Sequence, residues 1–190
     1  MSLCSRKIIP SLILASGLIL LGIASLIYIT QNRTAKSEEV SQPDLDCVQP
    51  ARVEFPAPPI SLTDLSLSEV HLDDYRGDIV LLNTWATWCP PCIAEMPALL
   101  NYFESYHDKG FTLIGVNIGE TRAQVLEFGL ENQLTFPLWL DPTESSLRAL
   151  NTIALPYSIV IDRTGMVRYA WSGATCLDAL ETTITPLLVQ

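Results

Sequence analysis

The chain has 190 residues, with 11 Lys and Arg against 21 Asp and Glu, a formal charge of −10. So acidic a surface excludes nucleic acid and anionic lipid headgroups as partners of a binding face. Five cysteines in a chain of this length make thiol, disulfide or metal chemistry the first question.

The N-terminus sets the expected compartment. Met1–Lys7 is a short tail ending in Arg6-Lys7, and Ile8–Thr30 then runs 23 residues without a charge, long enough to cross a bilayer. Arg33 and Lys36 follow, so the flanking positive charges nearly balance. All 21 acidic residues come later. Ser37–Gln190 holds 7 Lys and Arg against those 21, a formal −14. A basic tail inside and an acidic domain outside is the expected arrangement: a single-pass cell-membrane protein with residues 1–7 cytoplasmic, 8–30 a transmembrane anchor and the rest extracytoplasmic. A cleaved signal peptide is the alternative, with Gly22-Ile23-Ala24 as its small-x-small site. The apolar run continues through Ile29, longer than a signal core, which favours an uncleaved anchor.

Residues 31–59 read as a polar, Pro-rich linker and lead-in, with Pro43, Pro50, Pro56, Pro58 and Pro59 and no period. Residues 60–190 suffice for one domain with a single core. There Leu67–Leu72 alternates like an edge or hairpin strand, and Asp73–Gly77 is a turn. Asp78–Trp85 is apolar on both parities, as a strand covered on both faces is. Pro90–Lys109 is helical, with a kink expected at Pro97 and a stop at Gly110. Phe111–Ile118 is the next buried strand, Thr121–Glu131 a helix, Phe136–Leu140 a strand and Glu144–Leu150 a short helix. Tyr157–Ile161 and Met166–Trp171 form a hairpin around Asp162–Gly165. Leu177–Val189 closes the chain as a helix. Repeated βαβ followed by ββα predicts an α/β fold, a mixed sheet between helix layers.

Trp88-Cys89-Pro90-Pro91-Cys92 sits where strand gives way to helix. Free backbone N–H groups and the positive end of the helix dipole favour a thiolate there. Cys89 is the expected nucleophile, exposed and of depressed pKa, and Cys92, one turn in, the buried resolving thiol. A zinc site needs a second Cys or His pair. Cys4, Cys47 and Cys176 are scattered, and His71 and His107 do not pair, so no metal ligand set is assigned. A structural disulfide across so tight a loop would be strained and reducible. Whether Cys47 and Cys176 bond to each other stays open, because sequence does not fix their separation.

Asn83 through Cys92, Glu95-Met96-Pro97 and Leu155-Pro156-Tyr157 together resemble the thioredoxin superfamily, and more narrowly its membrane-anchored TlpA/ResA-like branch, over about Ile60–Leu188. The resemblance implies a thioredoxin-like fold and no cofactor. It implies that Pro156 is a cis-proline facing the cysteines, that the Leu155 peptide group pairs with an incoming substrate chain, and that Trp88 shields one side of the Cys89 sulfur. Pro90 and Pro91 complete the substrate-facing surface. Trp88 as a mere packing aromatic remains the alternative; Trp85 reads as core. Asn83 departs from thioredoxins proper, which place a buried acid there to take the proton of the second cysteine. Glu95, one helical turn after Cys92, is the compensating candidate, characteristic of the branch, and an ordinary solvated Glu is its alternative.

The resulting expectation is an extracytoplasmic thiol-disulfide oxidoreductase running as a reductant. By resemblance its substrates are protein disulfides such as apocytochrome c, and its electrons come from a membrane thiol-transporting protein. Two alternatives compete. A peroxiredoxin-like thiol peroxidase needs a Pro-x-x-x-Thr-x-x-Cys loop, and the stretch Asn83–Cys89 carries no such proline. A non-catalytic binding or chaperone module would leave Cys89, Cys92, Glu95 and Pro156 without a purpose.

Overall fold

A computed structural model describes residues 47–189. The expected tail, the anchor and the first part of the linker lie outside the described residues. Eight strands are present: β1 (Ala51–Pro56), β2 (Ser61–Asp64), β3 (Glu69–His71), β4 (Ile79–Trp85), β5 (Phe111–Ile118), β6 (Leu138–Asp141), β7 (Tyr157–Ile161) and β8 (Met166–Ser172). Four α-helices accompany them: α1 (Pro90–Tyr106), α2 (Arg122–Glu131), α3 (Ser145–Ala149) and α4 (Leu177–Leu188). No helix among the described residues is long and apolar enough to cross a membrane.

The strands form one sheet in the order β1-β8-β7-β4-β5-β6-β2-β3. β4 is parallel to β5 and antiparallel to β7, so both edges of β4 are paired. All seven β4 residues are buried, which accounts for its apolar run on both parities. One face puts Leu81 and Trp85 into a core with Leu99, Tyr102 and Leu180 from α1 and α4; the other puts Val80 and Leu82 against Trp139 and Leu147. Each such side chain contributes roughly 1.5–3 kcal/mol by leaving water. The central strand is therefore fixed from both sides. At Gly115 on β5 a Cβ would lie 2.9 Å from the Phe136 ring and 3.1 Å from Trp85 Nε1, so only glycine lets that core close.

Three expectations need correction. Residues 47–59 are not all linker: Ala51–Pro56 pairs antiparallel with β8 as an edge strand, with a register shift between Arg52 and Phe55. Most of its side chains are exposed, so it shows no buried period, and its stability comes from backbone pairing. The strand expected over Leu67–Leu72 shrinks to Glu69–His71 and pairs with the unforeseen β2. Leu67 turns the chain at φ 65°, and Asp64 Oδ1 holds that turn by accepting from Ser66 N–H at 2.8 Å and Ser68 N–H at 2.9 Å. The long helix ends at Tyr106, and His107–Lys109 tighten into a 3₁₀ turn before Gly110 at φ 77°.

Candidate active site

β4 ends at Trp85 and α1 begins at Pro90, so the intervening loop delivers the cysteines at the helix N-terminus. Cys89 is the N-cap, with extended backbone (φ −97°, ψ 101°). Pro90 and Pro91 fill the first two helical positions, where a missing N–H costs nothing. The two prolines leave the Cys92 N–H as the first free donor of the turn, and it donates to Cys89 Sγ at 3.3 Å. That bond and the helix dipole favour negative charge on Cys89 once the pair is reduced. The structure holds Cys89 and Cys92 as a disulfide with Cα atoms 5.3 Å apart.

Cys92 is fully buried, as expected, but Cys89 is not the exposed thiol that the sequence suggested. It is 4% accessible and packs with the core cluster. Its small open surface lies in a groove of about 460 Å³ that Trp88, Pro90, Pro91 and Leu155 also line. Trp88 is 65% exposed, so it is a groove wall rather than a packing aromatic. Trp85 is core. The Leu155–Pro156 bond is cis, with Pro156 buried and Leu155 at the groove. Thr84 secures the next residue from both directions: its hydroxyl donates to Tyr157 O at 3.1 Å and accepts from Tyr157 N–H at 3.2 Å.

Glu95 lies one turn beyond Cys92 and is fully buried. Asn83 Nδ2 donates to Glu95 Oε1 at 2.8 Å, and the Thr175 N–H donates to Oε2 at 3.0 Å. Burial pushes the Glu95 carboxyl up to about 7, with these two bonds holding it back from rising further. Asn83 also donates to Ser158 Oγ at 3.0 Å, while its own Oδ1 has no partner among the described residues. Asn83, at the position where the resemblance leads to an acid being expected, thus serves as a donor to Glu95.

Sequence reasoning missed three contributors. Arg148 and the 98% exposed Ile153 line the far wall of the groove, opposite in sequence to the cysteine loop. Glu120 is buried and holds that loop: it accepts from the Thr87 N–H at 2.7 Å, from the Thr87 hydroxyl, and from Asn117 Nδ2 at 2.7 Å. A lone Glu after a buried strand carries no sequence signal. An exposed Ile two residues before Leu155-Pro156 was the available hint for the wall. Cys47 and Cys176, whose pairing the sequence left open, form a second disulfide with Cα atoms 5.5 Å apart.

Residues 53–170 match the AhpC/TSA family. The chain is 38% identical over 125 residues to the thiol-disulfide oxidoreductase ResA of Geobacillus kaustophilus, covering 66% of this chain and 72% of that one. It is 30% identical over 156 residues to the thiol-disulfide oxidoreductase ResA of Bacillus subtilis, covering 82% of each. A Chlorobium tepidum structure assigned as a thiol:disulfide interchange protein DsbE superposes with a TM-score of 0.65 at 28% identity, covering 75% of this chain and 99% of that one. With the fold, the cysteine pair and these likenesses together, the chain belongs to the AhpC/TSA family and is a thiol-disulfide oxidoreductase of thioredoxin fold.

Proposed function

We propose that the chain is an extracytoplasmic reductant of protein disulfides, held at the cell membrane by Ile8–Thr30 and serving the maturation of proteins such as apocytochrome c. Its electrons come from a membrane thiol-transporting protein. The compartment follows from the basic tail, the uncharged run and the acidic remainder; the substrate class follows from the resemblance to the TlpA/ResA-like branch. One observation carries the chemistry: a buried carboxyl with a pKa of about 7 lies one helical turn from Cys92, whose partner Cys89 opens on the groove.

The Cys89 thiolate, stabilised by the Cys92 N–H and the helix terminus, attacks one sulfur of a substrate disulfide. A Cys89–substrate bond forms, and the first substrate sulfur leaves as a thiolate that takes a proton. Glu95 then accepts the Cys92 proton, and the Cys92 thiolate attacks Cys89 Sγ. The second substrate thiol departs and the Cys89–Cys92 disulfide forms, so two electrons have passed to the substrate. A donor dithiol reverses these steps, with Glu95 returning the proton to Cys92. A carboxyl titrating near neutrality serves both directions, since its two forms are comparably populated.

Expression of Cys92→Ser in intact spheroplasts tests both halves of the proposal. This variant is expected to accumulate a mixed disulfide with substrate through Cys89, and a membrane-impermeant thiol reagent is expected to block that accumulation without lysis. Trapping by Cys89→Ser instead would overturn the division of labour. Reagent access only after lysis would overturn the compartment.

A further inference from the structure

The four residues Gly173–Cys176 between β8 and α4 touch three separate parts of the molecule. The Gly173 N–H donates to Pro156 O at 2.9 Å, and the Thr175 N–H donates to Glu95 Oε2 at 3.0 Å. On their other side lies the segment that precedes β1. There the Val48 N–H donates to Ala174 O at 2.9 Å, and Thr175 Oγ1 donates to Val48 O at 3.3 Å. Cys47, one residue earlier, is bonded to Cys176. Cys47-Val48 is thus a covalent strap across the loop that supplies a donor to Glu95.

The loop is built to receive that strap. Gly173 adopts φ 102°, and a Cβ there would stand 3.0 Å from Val48 Cγ2. Cys176 is the N-cap of α4 yet makes no side-chain cap bond, its sulfur being committed to Cys47. The start of α4 is fixed covalently where a polar cap would ordinarily fix it.

Glu95 has few other partners. On the sheet side it meets Asn83, which is neutral and linked to the neutral Ser158. On the α4 side it meets the Thr175 N–H, while the charged Asp178 of that helix is exposed. On its own helix the nearby titratable groups are Cys92 and Cys89. Among the described residues no cation lies against it, so the carboxylate depends there on two neutral donors, and one of them belongs to the strapped loop.

We infer that the Cys47–Cys176 disulfide is a positioning element of the dithiol reaction: it fixes the Thr175 N–H against Glu95 and so sets the pH at which Glu95 takes the Cys92 proton. This rests on the role proposed above for Glu95. A disulfide acting only as a staple would raise the melting temperature by restricting the unfolded chain and leave the pH dependence alone. A positioning disulfide moves the pH dependence. Loss of a hydrogen bond to a buried carboxylate favours its protonated form, so the midpoint of the rate rises by about one pH unit.

The experiment follows oxidation by glutathione disulfide, from pH 5 to pH 9, of full-length protein reduced at Cys89 and Cys92 alone, with Cys47–Cys176 still bonded where present. The double variant Cys47→Ser/Cys176→Ser is expected to shift the rising limb upward by about one pH unit, with rates at pH 9 within about twofold of wild type. Thr175→Val keeps both disulfides and the backbone donor but cuts the hydroxyl bond to Val48, and it is expected to shift the limb upward by less. In a Glu95→Gln background, removing the strap should leave the profile unchanged. Lower melting temperatures with unmoved midpoints would make the disulfide a staple only and overturn the inference. If the double variant does not fold, the Thr175→Val midpoint decides alone, an unmoved value overturning the inference. A Glu95→Gln profile identical to wild type would instead overturn the Glu95 role, and this inference with it.

Discussion

Glu95 and Asp141 are both carboxylates with no exposed surface, yet their environments drive them in opposite directions. Burial alone would raise both. At Asp141, on the last residue of β6, burial is outweighed by five donors. Oδ2 accepts from the Ser146 hydroxyl at 2.5 Å and the Ser146 N–H at 2.7 Å; Oδ1 accepts from the Ser145 N–H at 2.9 Å, the Ser145 hydroxyl at 3.0 Å and the Thr143 hydroxyl at 3.4 Å. The carboxyl is held below the ordinary carboxylate range. Glu95 has two donors, and burial wins, pushing it up to about 7. More donors and a shallower setting hold Asp141 as the anchor of a loop, and fewer donors at greater depth leave Glu95 able to exchange a proton.

The largest expected effect is therefore a pair of opposite stability slopes. Glu95 titrates near 4.5 in the unfolded chain and near 7 in the fold, so its neutral form favours the folded state. That contribution is complete below about pH 4.5 and is lost as pH rises through about 7. By linkage the loss amounts to about 3 kcal/mol, and Glu95→Gln should abolish it. Asp141 is lowered from 3.8, so its contribution is present above that value and lost as pH falls through the folded pKa. Asp141→Asn should destabilise the protein by about 2 kcal/mol at pH 7, leaving serine donors without acceptors, and by much less in strong acid. Urea unfolding at pH 3, 5, 7 and 9 reads both slopes. Parallel slopes in the two variants would break the comparison.

Next in size is the rate. Glu95→Gln should slow disulfide exchange at pH 7 by about 10²-fold and flatten its rise through neutrality, the usual scale for loss of a positioned proton carrier. The Asn83→Asp/Glu95→Gln pair should recover part of that rate, because an acid returns to the strand position. A rate unchanged from pH 5 to pH 9 would reduce Glu95 to a buried structural residue.

Much of this was legible beforehand because it is local. The run Ile79–Trp85 identified a strand buried on both faces, and the Cys89-Pro90-Pro91-Cys92 sequence at its end placed two sulfurs at a helix terminus. What escaped depended on distant pairing. β1 has almost no buried side chain and exists because β8 has a free edge, 110 residues later, for its backbone to pair with. The low accessibility of Cys89 likewise reflects core packing that brings α1, β5 and α4 together, which no local pattern encodes. Asn83 could be recognised as a missing acid, but its donation to Glu95, 12 residues along, requires the helix to fold back over the strand. The Thr175 donor, 80 residues from Glu95, had no local signature at all.

The smallest expected effect gives the sharpest test of the donor-count argument. Ser146→Ala removes one of the five donors to Asp141 while its N–H remains, and the site stays buried. If donor number sets the balance, four donors should still outweigh burial, but by less. The folded carboxyl then moves upward toward its ordinary value, and about 1 kcal/mol of stability at pH 7 is lost. The acid limb of unfolding should shift to higher pH in step with it, because the group now protonates earlier in the folded state. Exchange through Cys89 and Cys92 should stay within about twofold, since an intermediate donor count changes the anchor of α3 and not the proton carrier. A Ser146→Ala protein with the wild-type acid limb would show that depth and donor number are not the competing terms at Asp141, and the contrast with Glu95 would need another cause.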